Sequence, residues 1–144
     1  MILGILIPLV YSFIIAYNNI GQFFINTSYL GLVLMVAGFS LRQWSIKTLG
    51  RLFTPIVSVH KDHKLVDKGP YKYMGHPSYT GLFLELLGVA LALSNFFAVI
   101  TVMFFFLPAI NYRTAIEENL LEEHFGKRYA SYRKRTKRFI PFVY

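Results

Sequence analysis

Two polar segments hold the residues able to do chemistry. The first, from Lys64 to Gly81, contains Gly69-Pro70-Tyr71 and then His76-Pro77; the second opens at Arg113 and carries Glu117 and Glu118. Proline fixes φ and pushes the residue before it toward extended backbone, so His76 is held just ahead of a helix that starts at Pro77. The start of that helix has unpaired N–H groups and the positive end of a dipole, which suit an anion. A His-Pro pair also opens many helices that do no chemistry. Arg113 and Glu117 are four apart and share a helix face. They form either an ordinary surface ion pair or a site in which the guanidinium orients an anionic group and the carboxylate takes a cation. Glu118 points about 100° away from Glu117, so only one of the two glutamates faces such a site directly.

Other candidates are less directional. Glu85 stands in the middle of an apolar stretch, where a carboxylate costs about 2.5–3.5 kcal/mol on insertion scales. It is either a functional acid or a neutral partner for a neighbouring hydroxyl or amide. Trp44, Tyr71, Tyr73 and Tyr79 suit a membrane-interface belt, and equally a cationic sulfonium or a purine. His60 and His63 have no partner ligands at zinc-site spacing, so no metal is expected. The chain has no cysteine, which removes disulfides, thiolate metal sites and cysteine nucleophiles.

The elements that must position these residues are apolar. Of 144 residues, 55% are hydrophobic and only 15% charged, against about 25% charged in a soluble domain. The apolar residues fall in runs that predict an all-α integral membrane protein forming a single domain over 1–144. Four spans are expected, at about 2–17, 28–47, 77–93 and 95–112, followed by a C-terminal cytoplasmic or interfacial helix from about 113 to 137, broken near Gly126. Met1 to Tyr17 has no basic n-region and no small-residue cleavage site, and reads as a retained helix. Net charge is +8, and most of it lies in 42–76 and 113–138. Because this charge abuts apolar spans, anionic headgroups are a better partner than nucleic acid. The loops at 18–28 and 94–95 carry no charge, so the basic segments, both termini and the site are expected on the cytoplasmic side of the cell membrane. The third and fourth spans run out and back, which returns His76 and Arg113 to one face. Gly31 and Gly38 are expected to pack helices closely inside the chain.

The segments together resemble the isoprenylcysteine carboxyl methyltransferase family, within the wider group of integral-membrane methyltransferases that includes phospholipid methyltransferases. The resemblance runs from Leu41 to Pro141: Arg42-Gln43-Trp44-Ser45-Ile46-Lys47-Thr48-Leu49-Gly50, His63-Lys64-Leu65-Val66, Gly69-Pro70-Tyr71 and His76-Pro77-Ser78-Tyr79-Thr80-Gly81, then Arg113, Glu117-Glu118, Phe125-Gly126, Tyr129 and Tyr132. It implies S-adenosylmethionine as methyl donor and a lipid-like, isoprenoid or prenylated acceptor methylated at a carboxylate or hydroxyl oxygen. Carried over residue by residue, it implies cofactor contacts at His63, Leu65, Val66, Gly69, Tyr71, Tyr73, His76, Pro77, Tyr79, Glu117 and Glu118. It implies Arg113 and Glu117 as the catalytic pair, with Trp44 and Arg113 toward the acceptor. The family usually has Arg-His-Pro where this chain has Gly75-His76-Pro77, so a basic contact there must come from elsewhere, with Lys72 as the nearest candidate. The competing reading from another class is a small four-helix transporter coupled to protons through Glu85.

Overall fold

The computed structural model describes residues 6, 7, 10, 11, 13, 14, 17, 18, 21–23, 25–53 and 65–139. These residues are helical, with no strand among them beyond isolated bridges. In chain order the named helices are α1 (Ser28–Leu49), α2 (Pro77–Ala92), α3 (Phe96–Thr101), α4 (Leu107–Phe125) and α5 (Lys127–Arg135). Short 3-10 turns occupy Gly50–Leu52 and Gly69–Lys72. The second and third expected spans thus become α1 and α2 with ends shifted by a residue or two. Most of the expected span at 2–17 lies outside the described residues.

The expected fourth span differs. It does not stop near 112: Phe96 to Phe125 is one 30-residue helical run through α3, a π turn at Val102–Phe106, and α4. Charged residues begin at Arg113, but Arg, Glu and Leu are good helix formers, and no glycine intervenes before Gly126. The break at Gly126 is as expected, with φ at 52°. The π turn has a local cause. Pro108 has no N–H to give to the Phe104 carbonyl, and its ring would crowd that carbonyl in a regular α-helix. The wide turn immediately before it takes up that crowding. At 1.5 Å per residue the run is about 45 Å long, more than a hydrocarbon core of about 30 Å, so its charged end extends past the apolar part.

The chain separates into two compact units, residues 1–40 with 81–111 and residues 41–80 with 112–144. In the first unit, α1 and α2 run antiparallel with their backbones in near contact. A Cβ at Gly31 would lie 2.2 Å from the Ala92 nitrogen, one at Gly38 2.6 Å from the Gly81 carbonyl oxygen, and one at Gly88 2.6 Å from the Met35 nitrogen. Glycine pairs seven apart on each helix therefore make the seam, which is how helices associate where lipid removes the hydrophobic drive between them. Gly31 and Gly38 are internal contacts, as expected. Thr27 and Ser28 hydroxyls donate to the Leu91 and Ala92 carbonyls at 2.7 and 2.9 Å, satisfying acceptors at the end of α2. The buried Asn95 side chain caps α3 by accepting from the Ala98 N–H at 3.0 Å. Tyr29, Leu32, Val33, Val36 and Phe39 on α1 remain exposed. Two helices, Ser28–Leu52 and Phe96–Phe125, are long and apolar enough to cross a membrane, and α2 is a shorter apolar helix.

The second unit is built around Tyr71, Met74, Tyr129 and Tyr132, all buried. The Tyr132 hydroxyl donates to the Tyr71 carbonyl at 2.7 Å, tying α5 to the 3-10 turn at Gly69–Lys72. The segment after α5 lies along residues 74–80. Gly75 N–H donates to the Lys137 carbonyl at 2.7 Å, His76 N–H to the Arg138 carbonyl at 3.0 Å, and the Thr80 hydroxyl to the Phe139 carbonyl at 2.9 Å. Gly69 has φ of 58°, and a Cβ there would sit 2.9 Å from Thr48 Oγ1, so this turn needs glycine both for its backbone and for its closeness to α1.

Candidate active site

The first turn of α2 and the charged part of α4 meet through Tyr79. Arg113 Nε donates to the Tyr79 hydroxyl at 2.6 Å, and that hydroxyl donates to Glu117 Oε2 at 2.9 Å. The Arg113 guanidinium also lies 5.8 Å from the Tyr79 ring centre. The expected Arg113–Glu117 pairing is therefore bridged by a residue from the other polar segment. The His76 ring stacks on Tyr79 at 5.8 Å, and its Nε2 lies 3.2 Å from Glu118 Oε1.

The two glutamates divide as their helical offset requires. Glu117, half-buried, turns to Tyr79 and Arg113. Glu118, 4% exposed, turns to His76 and the segment after α5. There Arg138 Nε donates to Glu118 Oε1 at 2.8 Å and Arg138 Nη2 to Oε2, a two-pronged grip, while Arg133 Nη2 is 3.2 Å from Oε2. A cavity of about 320 Å³ opens beside this cluster, lined by Glu118, Tyr129, Tyr132, Arg133 and Arg138 among others.

The remaining expected residues differ in exposure. His63 lies outside the described residues. Leu65 and Val66 are half-buried, and Pro77 is buried at the start of α2. Tyr71 is buried; burial, and then the charge of Glu117, push its phenol well above the ordinary tyrosine value, so it stays neutral. Tyr73 is 48% exposed, with Lys72 Nζ 5.9 Å from its ring centre. Trp44 is 52% exposed, and its Nε1 would lie 3.5 Å from a Cβ on Gly69. Among the described residues no group of three or more His, Asp or Glu could hold a metal ion.

Arg133 and Arg138 escape the sequence pattern. Their place in a basic tail assigns them to lipid headgroups, whereas both reach Glu118. The one available signal is the need of a buried carboxylate for cations, and in a tail with seven basic residues between Lys127 and Arg138 that need does not single out its partners. Burial likewise pushes the Tyr132 phenol up to about 12, keeping it a donor to the Tyr71 carbonyl.

Residues 30–123 match the isoprenylcysteine carboxyl methyltransferase (ICMT) family. The chain is similar to protein-S-isoprenylcysteine O-methyltransferase B of Arabidopsis thaliana, 37% identical over 123 residues covering 81% of this chain and 60% of that protein. It is similar to a probable protein-S-isoprenylcysteine O-methyltransferase of Oryza sativa subsp. indica, 30% identical over 118 residues, 81% of this chain and 62% of that one. Its fold is similar to the solved structure of the eukaryotic intramembrane Ras methyltransferase ICMT, with a TM-score of 0.81 and 30% identity over 98% of this chain and 52% of the other. The chain thus spans between half and two thirds of the length of these relatives. None of these similarities favours a transporter built on Glu85.

Proposed function

Because the chain belongs to the isoprenylcysteine carboxyl methyltransferase family, we propose that it is a membrane methyltransferase that uses S-adenosylmethionine to esterify the carboxylate of an isoprenoid-bearing acceptor, with a prenylated cysteine as the acceptor type its relatives' names give. The observation that carries this reading is the Arg113–Tyr79–Glu117 relay, which puts a fixed cation and a carboxylate side by side. The donor set suits the cofactor. Glu117 offers a carboxylate to its ammonium or ribose hydroxyls, and Tyr71, Tyr73 and Tyr79 offer aromatic surface to a sulfonium. Leu65, Val66, Gly69, His76 and Pro77 are further assigned contacts, with His63 and Glu118 also from the family pattern.

When bound, S-adenosylmethionine supplies an electrophilic methyl group and keeps the displaced electron pair on its sulfur as a thioether. An acceptor carboxylate is already a nucleophile and no proton has to leave it, so the protein needs no general base. Its task is to align and to exclude water. Arg113 holds the carboxylate, with its side chain oriented by the Tyr79 hydroxyl. Glu117, fixed by the same hydroxyl, balances the positive side of the site. Trp44 faces the acceptor. The lipid portion reaches the site from between helices.

Four spans are part of this proposal, with both basic segments and the site on the cytoplasmic side. The reading is tested by calorimetry on the detergent-solubilised protein with S-adenosylmethionine, followed by transfer of a labelled methyl group to a farnesylated cysteine with a free carboxylate. Binding together with a base-labile methyl ester is expected. Absence of cofactor binding overturns the reading.

A further inference from the structure

Both Glu118 oxygens accept hydrogen bonds from this chain's own side chains. An ionised carboxylate offers about four lone-pair sites. Here His76 Nε2 and Arg138 Nε lie on Oε1, at 3.2 and 2.8 Å, and Arg138 Nη2 and Arg133 Nη2 lie on Oε2. Three of these contacts are hydrogen bonds and the fourth, from the half-exposed Arg133, is an ion-pair contact, so both oxygens are engaged by this chain's own groups. Arg138 grips the same place twice, since its main-chain carbonyl takes the His76 N–H at 3.0 Å while its guanidinium forks onto Glu118. Phe139 closes the ring side, its centroid 6.1 Å from that of His76. His76 is consequently fixed at its backbone, at Nε2 and across its ring face.

We propose that Glu118 and Arg138 are positioning residues that lock the His76 imidazole with its Nε2–H on Glu118, turning Nδ1 and the ring face stacked on Tyr79 toward the methyl-donor site. The proposal deepens the methyltransferase reading and rests on it for the word donor, but the lock itself is made only of this chain's own groups. A carboxylate can only accept, so Nε2 carries the proton in this contact whether the ring is neutral or charged. Because Tyr79 links His76 to Arg113 and Glu117, release of the imidazole loosens the relay without removing any group from it.

The test uses the full chain in detergent, labelled with 15N-histidine. With four histidines in the sequence, His76 is assigned by comparison with His76→Gln. The wild-type protein without cofactor is expected to show a hydrogen-bonded, slowly exchanging Nε2–H at His76. Glu118→Ala and Arg138→Met should each speed that exchange at least tenfold, and Arg138→Lys should restore part of the protection. Glu118→Gln, which preserves shape, covers the case in which the alanine variant does not fold. In calorimetry with S-adenosylhomocysteine and with analogues lacking its amino group or its 2′-hydroxyl, Glu118→Gln should weaken all ligands by the same factor, about tenfold. Unchanged His76 exchange in the Glu118 and Arg138 variants overturns the proposal. So does a selective loss for one analogue group, which would make Glu118 a direct ligand contact. If the wild type binds none of these ligands, the methyltransferase reading falls while the exchange measurement still decides the lock.

Discussion

The Tyr79 hydroxyl acts in both directions, accepting from Arg113 at 2.6 Å and donating to Glu117 at 2.9 Å. Removing it leaves both charges in place but unbridged. Tyr79→Phe should lower kcat about 10²-fold, the scale of a misplacement of roughly 1 Å at a site that works by alignment, while protein yield and cofactor affinity change little. Arg113→Lys keeps the charge and loses the planar fork, so it should raise KM for the carboxylate acceptor and cost about 10²-fold in kcat/KM, near 2.7 kcal/mol. Steady-state kinetics with the acceptor varied separates the two variants; equal effects on KM from both would contradict a division in which Tyr79 aligns and Arg113 binds. At this scale the sequence was informative about Arg113, Glu117 and His76, because turn chemistry and four-residue spacing mark them. It was silent about Arg138. Helical offset says that Glu118 faces away from Glu117, but not what it faces, since its partner arrives past the Gly126 break.

The α1–α2 seam is made of backbone. Gly31, Gly38, Gly81 and Gly88 recur at seven-residue intervals within each helix, and at Gly31, Gly38 and Gly88 the first atoms a Cβ would meet are main-chain atoms that cannot rotate away. Gly88→Leu should therefore force the helices apart and cost at least the roughly 1–3 kcal/mol typical of overpacking. A lowered midpoint in detergent thermal unfolding, with Gly75→Ala as a control where a Cβ would meet nothing nearer than 3.6 Å, checks this; an unchanged midpoint would mean that the seam is not needed for stability. The two helices themselves were legible from apolar run length and from Pro77 at a first turn. The join between the fourth span and the charged tail was not. The change from apolar to charged residues at Arg113 marks a change of solvent, and the backbone has no reason to stop there.

At the level of the molecule, charge asymmetry makes a statement about sidedness. The residues between Lys127 and Arg138 carry a dense positive charge, while the turn at Ser94-Asn95 carries none. With no native cysteine in the way, single reporters can be placed at Ser131 on α5 and at Asn26 ahead of α1, both exposed. A membrane-impermeant maleimide should label Ser131→Cys only in inside-out vesicles and Asn26→Cys only from outside intact cells; labelling of both from one side would sink the four-span topology. The wide turn at Val102–Phe106 has a consequence of another kind. A π turn closes each hydrogen bond over five residues instead of four, so it stores one surplus residue without turning the helix beyond it. Loss of one residue within this stretch can be absorbed by return to a regular α-helix, once Pro108 no longer demands the wide turn. Loss of one residue at Asn111 would instead swing Arg113, Glu117 and Glu118 about 100° around the axis. In a chain without a proline at this place, a change of length is therefore tolerated at the phenylalanine-rich turn and forbidden one turn later, so a related chain that lacks Pro108 should carry its gap within 102–106.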